Sequence, residues 1–226
     1  MRIEADYPVS MTGVHGAGKK TLRDRLCALH VDFVPVEYKL LKLGRMVDQA
    51  GLNAFRERML EQDRLVDAVL EAGQHPVTSR LSILDVAIIA AVMAKFGRIE
   101  ASVTGAYLER LERDLADLFL PRALIAVWAP AEVLQNRLQE RDRDKDVKPS
   151  RAAAKMTSLI ALTKEIFVEG HYPHPLIERI VECYRHTDRL LLLDTGDVDP
   201  AAACECAVDF LAARGLSVQP AGREER

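Results

Sequence analysis

The chain has 226 residues, a net charge of −3 and 49% hydrophobic residues, which is the composition of one ordinary globular domain. This charge provides no basic field for nucleic acid, and no apolar run is long enough to cross a bilayer. The N-terminus lacks the charged start and apolar centre of a signal peptide. We therefore expect a cytoplasmic protein with a small-molecule partner, no nucleic acid and no membrane, and we leave a homodimer open.

Short apolar runs alternate with longer helical patterns along the chain, which is typical of a parallel sheet covered on both faces. The apolar runs predict five strands, at residues 8–13, 31–38, 75–79, 123–130 and 189–196. The helical patterns lie at residues 19–30, 38–50, 54–72, 82–97, 105–119, 131–141, 151–169, 174–186 and 200–214. The expected fold class is α/β, with a ligand at the C-terminal ends of the strands.

The stretch GVHGAGKKTL, residues 13–22, follows the first predicted strand and opens a helix. It matches the phosphate-loop pattern G-x-x-x-x-G-K, in which glycines let backbone N–H groups approach phosphate and the helix N-terminus adds a favourable dipole. A chance glycine-rich turn is the alternative. The expected nucleotide-binding residues are Gly13, Val14, His15, Gly16, Ala17, Gly18, Lys19, Lys20 and Thr21.

Lys20 departs from this pattern. The residue after the loop lysine is normally Ser or Thr, whose hydroxyl coordinates Mg²⁺ between the outer phosphates. A lysine ammonium has no lone pair for a cation and repels it. Thr21 points about 100° further round the helix, so we expect it to contact an inner phosphate while Lys19 reaches the terminal ones.

The loop resembles that of deoxynucleoside kinases and thymidylate kinases, G-x-x-G-x-G-K-[ST]-T-L, and the resemblance covers most of residues 8–196. It implies a three-layer P-loop fold with about five parallel strands, ATP or another nucleoside triphosphate as donor, and a nucleoside-like acceptor. It also implies a lid at about 141–151, while the chain length predicts one domain over residues 1–216 and the polar composition of residues 217–226 predicts a tail.

The resemblance also assigns site residues. In these kinases the second strand ends in a glutamate that takes the proton from the acceptor hydroxyl, and here that strand ends in Glu37. The third strand normally ends in an acid followed by an arginine near the acceptor, and here the pair is Ser79 and Arg80, with Asp85 a turn further on. The run PAEVLQNRLQERDR is similar to the start of the family's lid. The implied lid arginines are Arg137, Arg141 and Arg143.

Structural alternatives stay open for these charged residues. Glu37 could instead form an ion pair with Arg80 or Lys39, and Asp85 could cap or pair on its own helix. The lid arginines could simply be a solvated helix end.

Lys20 and Ser79 replace both protein contacts that the family would offer to magnesium. Magnesium could still be held by Asp85, Glu37 or waters, or Lys20 could replace part of its charge, or nothing is transferred. We expect an ATP-dependent phosphotransferase that acts on a nucleoside, nucleotide or similar small molecule. The alternatives are a non-catalytic nucleotide-binding regulator and a kinase for a non-nucleoside metabolite, the latter favoured by only 5% aromatic residues.

Overall fold

A computed structural model of the chain describes residues 2–3, 6–14, 16–37, 49–95, 97, 99–114, 119–142, 157 and 159–216. The strands are β1 Arg2–Ile3, β2 Val9–Thr12, β3 Phe33–Val36, β4 His75–Thr78, β5 Phe119–Leu120, β6 Ala123–Trp128 and β7 Leu190–Asp194. The helices are α1 Lys19–Leu29, α2 Gln49–Glu71, α3 Ser82–Lys95, α4 Ala101–Asp114, α5 Ala131–Asp142, α6 Pro175–His186 and α7 Pro200–Ala212, and a π-helical turn spans Glu165–Glu169.

Five strands form the central sheet in the order β3-β4-β2-β6-β7, and every neighbouring pair is parallel. Strand β2 lies in the middle, where Val9 is in register with Val77 of β4 on one side and Ala123 of β6 on the other. Because all five strands are parallel, their C-terminal ends share one edge of the sheet. After β2 the chain continues to β3 and β4 on one side of β2, and it then passes to β6 and β7 on the other side. The predicted α/β class with five parallel strands is confirmed.

Helices cover both faces of this sheet. The side chains of β6 alternate, as the two-residue period of a strand requires. Leu124 and Ala126 pack into a core shared with α3, α4 and α6, whereas Ile125 and Val127 pack into a second core shared with α1, α5 and α7. The result is a three-layer arrangement in which α1 and α3 begin at the same edge of the sheet, on opposite faces.

The start of α7 is fixed by its sequence. Asp199 accepts hydrogen bonds from the backbone N–H groups of Ala201, at 2.6 Å, and Ala202, at 3.2 Å. Pro200, which lacks an N–H, occupies the first helical position, where none is needed. The connection from β7 to α7 borders the same cavity as the loop that precedes α1.

The predicted boundaries differ from the structure in places. Residue 119, which we expected to end a helix, forms β5 together with residue 120, and β5 pairs with β1, a strand that we did not predict. Short apolar runs do not distinguish a strand from a helix end by periodicity alone, and Leu120 is fully buried. The predicted helix at 38–50 and the start of that at 151–169 fall mostly outside the described residues. In the described part of the chain, no helix is both long and apolar enough to cross a membrane.

Candidate active site

The loop between β2 and α1 contains three glycines with left-handed backbone conformations. Their φ angles are 120° at Gly13, 84° at Gly16 and 91° at Gly18. Other residues rarely adopt such angles, which explains the spacing of the motif. Gly18 occupies the N-cap position of α1, where no side chain among the described residues caps the helix. The first N–H groups of α1 therefore remain available at the positive end of the helix dipole.

Gly13 and Gly18 provide a matched test of this loop. A β-carbon at Gly13 would lie 2.0 Å from the Val127 carbonyl oxygen, whereas one at Gly18 would have no described atom within 4 Å. We expect Gly13→Ala to lower the free energy of unfolding by about 3 kcal/mol or more, because overlap adds to backbone strain, and Gly18→Ala by about 1 kcal/mol. Urea denaturation measures both. Equal losses would show that the approach to β6 does not constrain the loop.

Lys19, the first residue of α1, turns back into the loop. Its Nζ donates hydrogen bonds to the carbonyl oxygens of Gly13, at 2.7 Å, and Val14, at 2.5 Å. Only 7% of the residue is exposed. Burial and then the neighbouring Arg80 lower the pKa of Lys19 from 10.5 to about 7, with Asp85 opposing them. The ammonium is thus held where an incoming anion would stabilise its charge.

Asp85, in the first turn of α3, supplies the counter-charge below the loop. Its Oδ1 accepts a 2.8 Å hydrogen bond from the Thr12 hydroxyl at the end of β2, and its Oδ2 lies 3.8 Å from the Arg80 guanidinium. Burial raises the pKa of this carboxyl, while Arg80, Lys19 and Thr12 oppose the rise. The expectation that Asp85 caps or pairs on its own helix is wrong, because the first turn of α3 directs this side chain inward, toward β2.

Glu37 follows β3 at the same edge of the sheet and lies beside α1. Its Oε1 is 2.8 Å from the Lys20 Nζ and 3.8 Å from the buried Arg23 guanidinium. Arg23 also contacts Asp24, at 2.6 Å. The ion-pair alternative for Glu37 is therefore realised, with Lys20 and Arg23 as partners that the sequence analysis did not name; Lys39 lies outside the described residues.

These residues do not fit a magnesium ion. At the position of the usual hydroxyl ligand the ammonium of Lys20 faces the site, and Glu37 is already paired with it. Asp85 lies between the positive charges of Lys19 and Arg80, which would repel a divalent cation. Among the described residues, no group of three or more histidine, cysteine or acidic side chains could hold a metal.

A cavity of 230 Å³ opens on the other side of the loop, between α1 and the connection from β7 to α7. Thr195 links its walls: its hydroxyl lies 3.0 Å from the Ala17 carbonyl oxygen and accepts a 3.1 Å hydrogen bond from Arg137. Arg137 also donates to the Thr195 carbonyl oxygen, at 2.5 Å. The cavity is lined by Gly16, Ala17, Gly18, Thr21, Leu22, Arg137, Thr195, Val198, Pro200 and Ala203.

No family model and no curated protein matches the chain. Among solved structures, deoxyadenosine kinase from M. mycoides with the products dCMP and dCDP has a TM-score of 0.67 at 10% identity. The same kinase with dCTP gives 0.62 at 10% identity, and with dATP 0.60 at 11% identity. Each match covers 91% of this chain and 99% of the kinase chain.

The chain has the P-loop deoxynucleoside kinase fold. An α/β sheet of five parallel strands with helices on both faces agrees with it. In this kinase fold, the structure brings the predicted residues Lys19, Lys20, Glu37, Arg80 and Asp85 together around the loop. Arg137 lines the neighbouring cavity, where it contacts Thr195. The side chain of Arg141, at the end of α5, and all of Arg143 and His15 lie outside the described residues.

Three residues that organise the candidate site were not among those predicted from the sequence. Arg23 lies three residues after Lys20, so both face β3 from α1, and that spacing could have indicated it. Thr12, just before the loop, was hidden within an apolar strand. Thr195 ends the run LLLLDT and reaches the loop only because β7 and β2 both flank β6.

Proposed function

We propose that this protein transfers the γ-phosphoryl group of ATP, or another nucleoside triphosphate, to a hydroxyl or phosphate of a small, nucleoside-like acceptor. The arrangement of Lys19 carries the proposal. Its ammonium, buried and bonded to two loop carbonyl oxygens, lies near the N-terminal end of α1, which no side chain of the described residues caps. An arrangement of this kind selects terminal phosphates, because both the fixed charge and the helix dipole favour an anion there.

The surrounding residues have distinct roles in this proposal. The loop and Thr21 hold the donor phosphates, and the cavity that Thr195 and Arg137 border accommodates the rest of the donor nucleotide. Arg80, anchored by Asp85, orients the acceptor from the opposite side of β2. Arg137 lies within reach of the donor through its contact with Thr195.

The chemical step is an in-line displacement at the γ-phosphorus. The acceptor oxygen forms a bond to phosphorus, and the bond from phosphorus to the oxygen that bridges the β- and γ-phosphates breaks. That oxygen leaves as part of ADP, and the acceptor proton passes to the Glu37 carboxylate and then to water. Such a transfer depends on positioning and on stabilisation of the phosphate charge, which Lys19 and the loop N–H groups supply.

A non-catalytic nucleotide-binding protein is the second candidate. It is favoured by the ion pair between Glu37 and Lys20, which occupies the carboxylate that would accept the proton, and by Ser79 in place of an acid. A kinase for a non-nucleoside metabolite is the third candidate, because the residues that would bind the donor do not determine which acceptor is used.

The test is transfer of label from γ-³²P-ATP to a panel of nucleosides, nucleotides and small hydroxylated metabolites. We expect a labelled ester with at least one nucleoside or nucleotide, and loss of that product in Lys19→Met. A product only with other metabolites would move the proposal to the third candidate. Saturable nucleotide binding with no labelled ester from any member of the panel would favour the second.

Nucleotide binding should be linked to proton uptake by Lys19. Because the free protein holds the pKa of Lys19 near 7, this amine is mostly neutral at higher pH, and a bound phosphate favours its charged form. We expect ADP to bind with uptake of up to one proton at pH 8.5, where phosphate groups are already fully ionised, and to bind more weakly as the pH rises above 7. Calorimetry in buffers of different ionisation enthalpy measures the uptake, and Lys19→Met should abolish it. Binding without uptake in the unmodified protein would contradict this role.

A further inference from the structure

Lys20 is the residue at which this loop departs most from a magnesium-dependent one. It lies in the first turn of α1, directly after Lys19, with its ammonium 2.8 Å from the Glu37 carboxylate. Glu37 follows β3 at the C-terminal edge of the sheet, so the ion pair lies between the first turn of α1 and the end of β3. The positive charge that would meet the outer phosphates is thus already part of the chain.

In the ion pair between Lys20 and Glu37, the lysine can move away while the carboxylate stays in place. The side chains of Lys20 and Glu37 are 66% and 52% exposed. Ion pairs at such exposure contribute little to stability, so separating the ammonium from the carboxylate costs little free energy. Arg23 has a side chain only 4% exposed and lies 3.8 Å from Glu37. It therefore keeps the carboxylate in place when Lys20 moves.

We propose that the Lys20 ammonium takes the place of the divalent cation at the outer phosphates of a bound nucleotide, and that Glu37 holds it beside the end of β3 until then. A triphosphate carries more negative charge than one carboxylate, so it attracts the ammonium more strongly. A phosphate oxygen at the N-terminal end of α1 would lie within reach of the flexible Lys20 side chain. The inference rests on the proposed function for the identity of the ligand, a nucleoside triphosphate. Nucleotide binding is then independent of magnesium, and it separates Lys20 from Glu37.

The experiment is calorimetric titration with ATP, in EDTA and in magnesium chloride. For the unmodified protein we expect dissociation constants within about threefold of each other. Lys20→Met should weaken binding in EDTA about tenfold, because a charge-assisted hydrogen bond is lost, and Lys164→Met, on an exposed lysine paired with Glu169 elsewhere, should not. Lys20→Thr should also weaken binding in EDTA but regain affinity when magnesium is added.

The variant Glu37→Gln distinguishes the proposed role of the Lys20 ammonium from the binding of a metal ion by the Glu37 carboxylate. We expect the variant to bind ATP in EDTA at least as tightly as the unmodified protein, because Lys20 loses a competing partner. Weaker binding of this variant in magnesium alone would make Glu37 a metal ligand and would overturn the inference. Binding by the unmodified protein that improves tenfold or more with magnesium would overturn it as well. Both readouts are binding affinities, so a lack of transfer would defeat only the proposed reaction.

Discussion

Replacing Lys19 with methionine is expected to reduce phosphoryl transfer about a hundredfold or more and to weaken ATP binding by at least tenfold. The ammonium is bonded to the Gly13 and Val14 carbonyl oxygens inside the loop, so it is already positioned for the charge that develops on the terminal phosphates. Methionine keeps the apolar stem and removes the charge together with its two hydrogen bonds to the loop. Initial rates at saturating ATP and calorimetric titration measure the two effects.

Lys95→Met is the matched control for this prediction. Lys95 ends α3, about 20 Å along the helix axis from its start at Ser82, and forms an exposed ion pair with Glu165 at 3.4 Å. The same chemical change at that distance should leave binding and transfer unchanged. Equal effects of the two substitutions, or full activity of Lys19→Met, would show that the loop lysine does not contact the donor.

Asp85→Ala is expected to lower the free energy of unfolding by about 3 to 5 kcal/mol, because it leaves buried positive charge without a counter-charge. The carboxylate accepts the Thr12 hydrogen bond at the end of β2 and provides the negative charge near Lys19 and Arg80. Asp85→Asn keeps the shape of the side chain and the acceptor for Thr12. Its free energy of unfolding should therefore lie between those of the unmodified protein and Asp85→Ala. Chemical denaturation near neutral pH, where Lys19 is partly charged, measures both variants.

The exposed aspartate Asp199 provides a comparison for the loss of stability expected in Asp85→Ala. Asp199 is exposed and caps α7 through its contacts with Ala201 and Ala202, so Asp199→Ala should lower the free energy of unfolding by only about 1 kcal/mol. A loss at Asp85 no larger than that at Asp199 would mean that the buried cations do not depend on this carboxylate. Restoration of stability at high pH, where Lys19 is neutral, would support the electrostatic origin of the effect.

Local sequence patterns were sufficient to predict the fold because each element of the sheet carries its own signal. The strand β2 leads without interruption into the glycine loop and α1, so one continuous stretch defines the centre of the sheet and the phosphate site. Strand β6 is an apolar run followed by Pro130, and β7 is a run of leucines. The short ladder of β1 with β5 was not predictable, since two-residue strands have no periodicity to detect.

The candidate site was only partly predictable, because its contacts connect residues far apart in the chain. Glycine spacing identified the loop, but nothing local indicates that Thr12 bonds to Asp85 or that Thr195 closes the side of the loop. Those contacts depend on the order of the strands, which places β2 between β4 and β6. The partner of Lys20 was equally hidden, since Glu37 reaches it only after β3 has formed.

The most direct test of a phosphate site at this loop is a titration of ¹⁵N-labelled protein with ADP, followed by amide resonances. Binding in the loop should shift the amides of Gly16, Ala17 and Gly18 in a saturable way. The amide of Thr187 should not move, because it precedes β7 at the opposite edge of the sheet. Unshifted loop amides, with ADP either unbound or perturbing other residues, would contradict the assignment of nucleotide phosphates to this site.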